Sequence, residues 1–172
     1  MIHILTVGNW LRDYECWGEV VRQVLCLRRD VVFDVIANSN ILKGLEHYSR
    51  EFPGQVNLLT GLSDDELLNW YQTASILFLP LKDAIANTAL LEGMACALPV
   101  VITDLPATRE YGGDSAIYVT LGKTEQYIEH LVHLIDDSAL RTKMSTASRQ
   151  TALRYDWLLI ADQYRSLYED LQ

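Results

Sequence analysis

The chain has 172 residues, of which 49% are apolar and 22% charged, and a formal net charge of −9 from 14 basic and 23 acidic side chains. A chain of this size and balance is one globular domain able to bury roughly 70% of the surface its unfolded state exposes, which excludes general disorder, collagen-like repeats and a disulfide-dense mini-protein. The acidic field makes duplex nucleic acid a poor partner, and the small cluster Arg22 to Arg29 lies within a helical pattern as a solvated face.

In chain order, Ile2–Val7 reads as a buried strand ending at Gly8, and Cys16–Leu27 as a helix with Val20, Val21, Val24 and Leu27 on one face. Val31–Ala37 is a second strand, Leu42–Arg50 a helix, and Gln55–Leu59 a short third strand closed by Gly61. Ser63 and Glu66 form a capping-box pattern at the start of a helix over Asp64–Thr73. A strand at Ser75–Pro80, a polar loop from Lys82, a helix over Asn87–Ala97 and an uncharged strand at Pro99–Thr103, expected to be central, come next. Ile117–Val119 is a shorter strand. From Thr124 onward the pattern is helical only, broken near Asp136–Ser138 and Tyr155–Asp156, with a last helix over Trp157–Leu171.

Repeated strand–helix units with uncharged strands specify a parallel sheet covered on both faces. The fold expected is α/β: a single Rossmann-like, doubly wound parallel sheet of about six strands with a helical C-terminus, over residues 1–172. In such a sheet ligands bind beyond the carboxyl ends of the strands where the strand order reverses. With the order 3-2-1-4-5-6, strands one and four meet there, so Gly8–Tyr14 and Pro80–Asn87 are the loops that face each other.

Three cysteines (Cys16, Cys26, Cys96) without CxxC spacing read as reduced core fillers in a cytoplasmic protein rather than as ligands. His130 and His133 share a helix face, but no acidic or cysteine partner stands at ligand spacing, so no metal site is expected. The first residues lack a basic n-region, and their apolar run is too short for a signal peptide or a transmembrane segment. No GxGxxG follows the first strand, which argues against a dinucleotide cofactor.

The most informative stretch runs from Asn87-Thr-Ala-Leu-Leu-Glu92-Gly-Met-Ala to Pro99-Val-Val-Ile-Thr-Asp104. It resembles the nucleotide-sugar-binding segment of the group 1 (family 4) glycosyltransferases, whose pattern reads Leu-Glu-Ala-Met-Ala-x-Gly-x-Pro-Val-Val. The match extends to Gly61-Leu-Ser-Asp-Asp-Glu66-Leu, to Tyr71 through Ala74, to Leu77–Pro80, to Glu110 in Ala107-Thr-Arg-Glu, and to Tyr155-Asp156-Trp157. The resemblance implies one half of a GT-B fold, the donor-binding domain. A nucleotide-diphosphate sugar would be the substrate, no cofactor would be needed, and the acceptor site would lie in an N-terminal acceptor domain or partner chain.

The same resemblance implies the site. Glu92 matches the carboxylate that accepts hydrogen bonds from the ribose hydroxyls, a task that suits a charged bidentate acceptor. Asn87, Thr88 and Ala89 form the first helical turn, whose free N–H groups suit a diphosphate; Asn87 is equally an N-cap. Gly8 and Arg12 belong to the first loop, and Lys82 and Asp83 to the facing one. Arg12 either supplies guanidinium donors to the diphosphate or pairs with Asp13 or Glu15. Trp10 either stacks on a base or closes the sheet edge.

Four departures stand out, among them the missing Gly-rich turn, replaced by Ile85-Ala-Asn87-Thr88. Ala84 occupies the place of the family's first Glu, with Asp83 adjacent but out of register. The first loop lacks the usual Arg–Lys pair. Ala97 stands where the family has Gly. Two functions follow: the donor-binding domain of a retaining, metal-independent glycosyltransferase acting on an unknown acceptor, or a non-catalytic binding or assembly module on the same fold. The resemblance assigns no protein nucleophile. The last helix is expected either to fray or dock on its own sheet, or to pack across a domain boundary in a larger enzyme.

Overall fold

Six strands form one parallel sheet: β1 (Ile2–Val7), β2 (Val31–Ile36), β3 (Val56–Leu59), β4 (Ile76–Leu79), β5 (Val100–Thr103) and β6 (Ala116–Val119). Their order is β3-β2-β1-β4-β5-β6 in this computed structural model, which describes residues 1–169. The order is the expected one: β1 pairs with β2 on one side and β4 on the other, so the reversal lies between β1 and β4. β5 lies inside the sheet between β4 and β6.

The helices are α1 (Tyr14–Leu27), α2 (Ser39–Glu51), α3 (Asp64–Thr73), α4 (Thr88–Ala95), α5 (Pro106–Gly112), α6 (Thr124–Asp136), α7 (Ser138–Ala152) and α8 (Trp157–Glu169). Alternation along the strands sends successive side chains to opposite faces, which creates two cores. On one face Ile4, Phe33, Val35 and Phe78 pack with Trp17 and Val21 of α1, Leu45 of α2 and Leu131 of α6. On the other, Leu5, Leu77, Leu79 and Ile102 pack with Tyr71 of α3, Leu90 and Met94 of α4 and Ala152 of α7. The second core positions the candidate site, because α3 and α4 both rest on it.

Local signals act where expected. Ser63 caps α3 with Glu66 reaching back to the Ser63 N–H, closing both halves of the capping box. Asn87 caps α4, its side chain accepting from the Leu90 N–H.

Four features differ from the sequence reading. Helix α5 is missing from that reading. It is only seven residues long and starts from Pro106 at its first turn, with the Thr108 hydroxyl donating to the Thr103 carbonyl at 2.7 Å; so short an element carries no amphipathic period. Strand β2 is not uncharged: Asp34, 1% exposed, receives a 2.7 Å hydrogen bond from Asn57 Nδ2 and lies 2.7 Å from His3 Nδ1. Pairing on two sides is what makes a buried carboxylate tolerable in a strand. Of the cysteines, Cys26 is not a core filler, since it is exposed, whereas Cys16 and Cys96 pack half-buried against the two cores.

Helix α8 is formed over Trp157–Glu169 but buries none of its side chains, so it does not dock on its own sheet; Trp157 is 84% exposed and Leu158 78%. The expected end of that helix at Leu171 lies outside the described residues. Among the described residues, no helix is long and apolar enough to cross a membrane.

Candidate functional site

The carboxyl ends of β1 and β4 open onto a cavity of about 370 Å³. The chain leaves β1 at Gly8, whose φ of +116° is a backbone state that favours glycine. A Cβ there would also stand 2.6 Å from Arg12 Nη2, so any other residue would displace the guanidinium. Arg12 folds back over this glycine, donating from Nε to the Val7 carbonyl at 2.8 Å. The turn that allows it holds Leu11 at φ +58°, a left-handed conformation costing a non-glycine residue about 1 kcal/mol or more.

Two backbone hydrogen bonds clip this loop to the one after β4. The Asp13 N–H donates to the Pro80 carbonyl at 2.8 Å, and the Lys82 N–H to the Leu11 carbonyl at 2.9 Å. Thr103 of β5 secures the second loop, its hydroxyl accepting from the Leu81 N–H at 2.6 Å. The two loops are therefore a single braced rim, and the strain at Leu11 is held by it.

Of the residues singled out from the sequence, Gly8, Arg12, Asp83, Asn87, Thr88, Ala89 and Glu92 all line this cavity. Lys82 does not. Its side chain is exposed away from the lining, since its N–H is committed to the clip with Leu11 and the next residue turns inward instead. Asp83 spends one carboxylate oxygen on the Ala84 N–H, at 2.8 Å. Ala84 lines the cavity, so no carboxylate stands at that position.

Arg12 does not pair with Asp13 or Glu15. Asp13 is the N-cap of α1, accepting from the Cys16 N–H at 3.1 Å. The guanidinium instead reaches toward α4, with Nη2 3.4 Å from Asn87 Oδ1. Burial pulls the Arg12 pKa below its ordinary value, opposed only weakly by the neighbouring Tyr14 and Tyr71. Even so, a guanidinium stays charged. The result is a half-buried cation with no carboxylate partner among the described residues, beside a helix N-terminus whose free N–H groups carry the same sign of field. These two positive sources favour an anion between them, in a cavity that the carboxylates of Asp83 and Glu92 also line.

Glu92 lies one turn further along α4, on the same side. The Tyr71 hydroxyl donates to Glu92 Oε2 at 2.8 Å. Glu92 and Tyr71 also line a second, smaller cavity of about 280 Å³ between α3 and α4. Tyr71 belongs to a matched motif, but no local pattern shows this contact, because it links residues 21 positions apart on different helices. Trp10 does not close the sheet edge: it is 79% exposed at the mouth of the first cavity.

Glu110 lies away from the cavity. Its carbonyl accepts from the Tyr155 hydroxyl at 2.8 Å, so two of the matched sequence fragments meet as a structural brace. Among the described residues, no three His, Cys, Asp or Glu side chains are grouped so that they would hold a metal ion.

The sequence model of the family described as Glycosyl transferases group 1 matches residues 2–137. An uncharacterized glycosyltransferase of Methanocaldococcus jannaschii is 23% identical over 145 residues, covering 83% of this chain and 41% of the relative. A phosphatidyl-myo-inositol mannosyltransferase of Mycobacterium leprae is 34% identical over 82 residues, covering 46% of this chain and 22% of the relative. The chain thus spans less than half the length of these curated relatives. Among solved structures, the C-terminal domain of a glycosyl transferase group 1 family protein from Francisella tularensis superposes with a TM-score of 0.75 at 22% identity. That match covers 88% of this chain and 83% of the solved one, a likeness of fold.

Proposed function

The chain belongs to the group 1 glycosyl transferases, and we propose that it is the donor-binding domain of a retaining, metal-independent member that transfers a hexose from a nucleotide-diphosphate sugar. The observation that carries this reading is the Arg12 guanidinium, half-buried without a carboxylate partner among the described residues and aimed at the N-terminus of α4, with Glu92 on the same cavity wall.

On this reading the diphosphate lies between Arg12 and the first turn of α4, where Asn87, Thr88 and Ala89 present their backbone. The ribose hydroxyls donate to Glu92. As the bond between the anomeric carbon and the diphosphate oxygen breaks, negative charge grows on the leaving diphosphate, and these fixed positive groups stabilise it without reorganising. Donor phosphates, rather than a protein nucleophile, assist the retaining step, and the protein contributes orientation. The acceptor is held by an N-terminal acceptor domain or a partner chain, which is consistent with relatives more than twice as long as this chain.

The test is a thermal-shift panel of UDP, GDP, ADP and dTDP and their common sugars, with Glu92→Ala and Arg12→Ala as controls. A ligand at about 100 times its Kd adds roughly 2.7 kcal/mol, which moves the midpoint of a domain of this size by about 5–10 °C. We expect one base to give that shift and both variants to lose it. No shift with any nucleotide, or a full shift in Glu92→Ala, would overturn the assignment.

One observation favours a second reading, that of a binding or assembly module without turnover: Ala84 lines the cavity where the family pattern carries a carboxylate. Nucleotide binding without release of nucleoside diphosphate, even with a candidate acceptor-domain chain present, would select it.

A further inference from the structure

We propose that Tyr71 is a positioning residue for Glu92: its hydroxyl fixes the carboxylate on the ridge between the two cavities and so sets how strongly a ribose is held. The proposal rests on the donor-binding reading above. Tyr71 is the single buried side chain of α3, 2% exposed, and its ring packs in the core with Leu5, Leu77 and Met94. Buried there, the ring presents its hydroxyl toward α4, 2.8 Å from Glu92 Oε2.

Glu92 itself is exposed, and a glutamate on an open helix face ordinarily samples several rotamers. A donor of fixed position selects among them. An ionised carboxylate offers about four acceptor sites. Tyr71 takes one on Oε2, leaving the remainder, including both on Oε1, for the two adjacent hydroxyls of a ribose. Burial, reinforced by the Glu92 charge, drives the phenol pKa well above its ordinary value, so Tyr71 stays protonated and remains a donor.

Two further contacts hold the pair in register. The capping box at Ser63 and Glu66 anchors the start of α3. Gly93, next to Glu92, lets α4 approach Leu77 of β4 closely enough for the carboxylate to meet the phenol.

The test is isothermal titration of wild type, Tyr71→Phe, Glu92→Ala and the double variant with UDP, GDP and ADP, each beside its 2′,3′-dideoxy counterpart. Phenylalanine keeps the ring, and circular dichroism with a thermal melt checks that the fold is kept. We expect Tyr71→Phe to weaken the ribonucleotide that wild type prefers by about 5- to 10-fold, a part of the worth of one hydrogen bond to a charged group, because that bond orients Glu92 in the free and the bound protein alike. The dideoxy counterpart should bind both proteins alike, and Tyr71→Phe should add nothing in the Glu92→Ala background.

Equal affinity of wild type and Tyr71→Phe for the ribonucleotide would overturn the positioning role alone. An equal loss on both ligands would do the same, since it would report a repacked α3–α4 contact. Wild type that binds none of the nucleotides would overturn the donor-binding reading and this role with it.

Discussion

Replacing Gly93 by alanine tests whether the depth of α4 on the sheet is set by one missing methyl group. The family pattern has alanine at this place, so propensity and resemblance both favour the change. Gly→Ala inside a helix gains about 1 kcal/mol. The structure opposes it: a Cβ on Gly93 would fall inside contact distance of Leu77 Cδ2 and stand 3.4 Å from Cγ. Leu77 is fully buried and in register with Leu5 of β1 and Val100 of β5, so its side chain has nowhere to turn. Overpacking of this kind costs about 1–3 kcal/mol.

With no room for Leu77 to turn, the cost falls in the upper part of that range, about 2–3 kcal/mol, and Gly93→Ala should lose roughly 1–2 kcal/mol net, a fall in Tm of about 2–8 °C for a domain of this size. Adding Leu77→Val should recover part of the loss, with a coupling of about 1 kcal/mol or more between the two changes in urea unfolding. Nucleotide affinity should fall in Gly93→Ala and return in the double variant, because Glu92 moves with α4. A single variant as stable as wild type would refute the reasoning: Leu77 would then yield, and Gly93 would not set the approach.

The opposite sign is expected at Ala97, which ends α4 at φ +61° with the Leu98 N–H donating to the Gly93 carbonyl at 2.9 Å. Left-handed backbone costs alanine about 1–2 kcal/mol, and glycine returns about 0.4–1 kcal/mol of that through the freer unfolded chain. Ala97→Gly should thus raise stability by roughly 0.5–1 kcal/mol, and a lower Tm would contradict it. Acid should expose the capping box. Hydrogen bonds from the Ser63 N–H and hydroxyl hold the Glu66 carboxyl below its ordinary pKa. A depressed folded-state pKa means that the contribution is present above the unfolded value of about 4.3 and is lost as pH falls through the folded one. Wild type should therefore exceed Glu66→Gln in urea unfolding at about pH 7, with the difference closing below about pH 4; a difference unchanged in acid would remove the charge from the explanation.

Much of this was legible in the chain itself. Apolar runs of strand length separated by amphipathic segments determine a parallel sheet, because only helices on both faces cover such strands. The Ser63 cap locates the start of α3 to the residue and Asn87 that of α4 to within one, since capping is a contact between near neighbours. The switch point follows from strand order alone, and it places Gly8, Arg12, Asn87 and Glu92 around one cavity.

What the chain alone leaves open depends on contacts between residues far apart in sequence. Whether Arg12 pairs with Asp13 or turns into the cavity is decided by the clip to Pro80 and by Asp13 serving as a cap. Lys82 and Asp83 are neighbours, yet one side chain turns out and the other in, which the Lys82–Leu11 backbone hydrogen bond determines. The Tyr71–Glu92 contact joins two helices, and the buried Asp34 is tolerated because β1 and β3 bring His3 and Asn57 to it. Local sequence sets which backbone states are cheap, whereas the direction of a polar side chain is set by which distant partner satisfies it, and that partner exists only once the sheet has assembled.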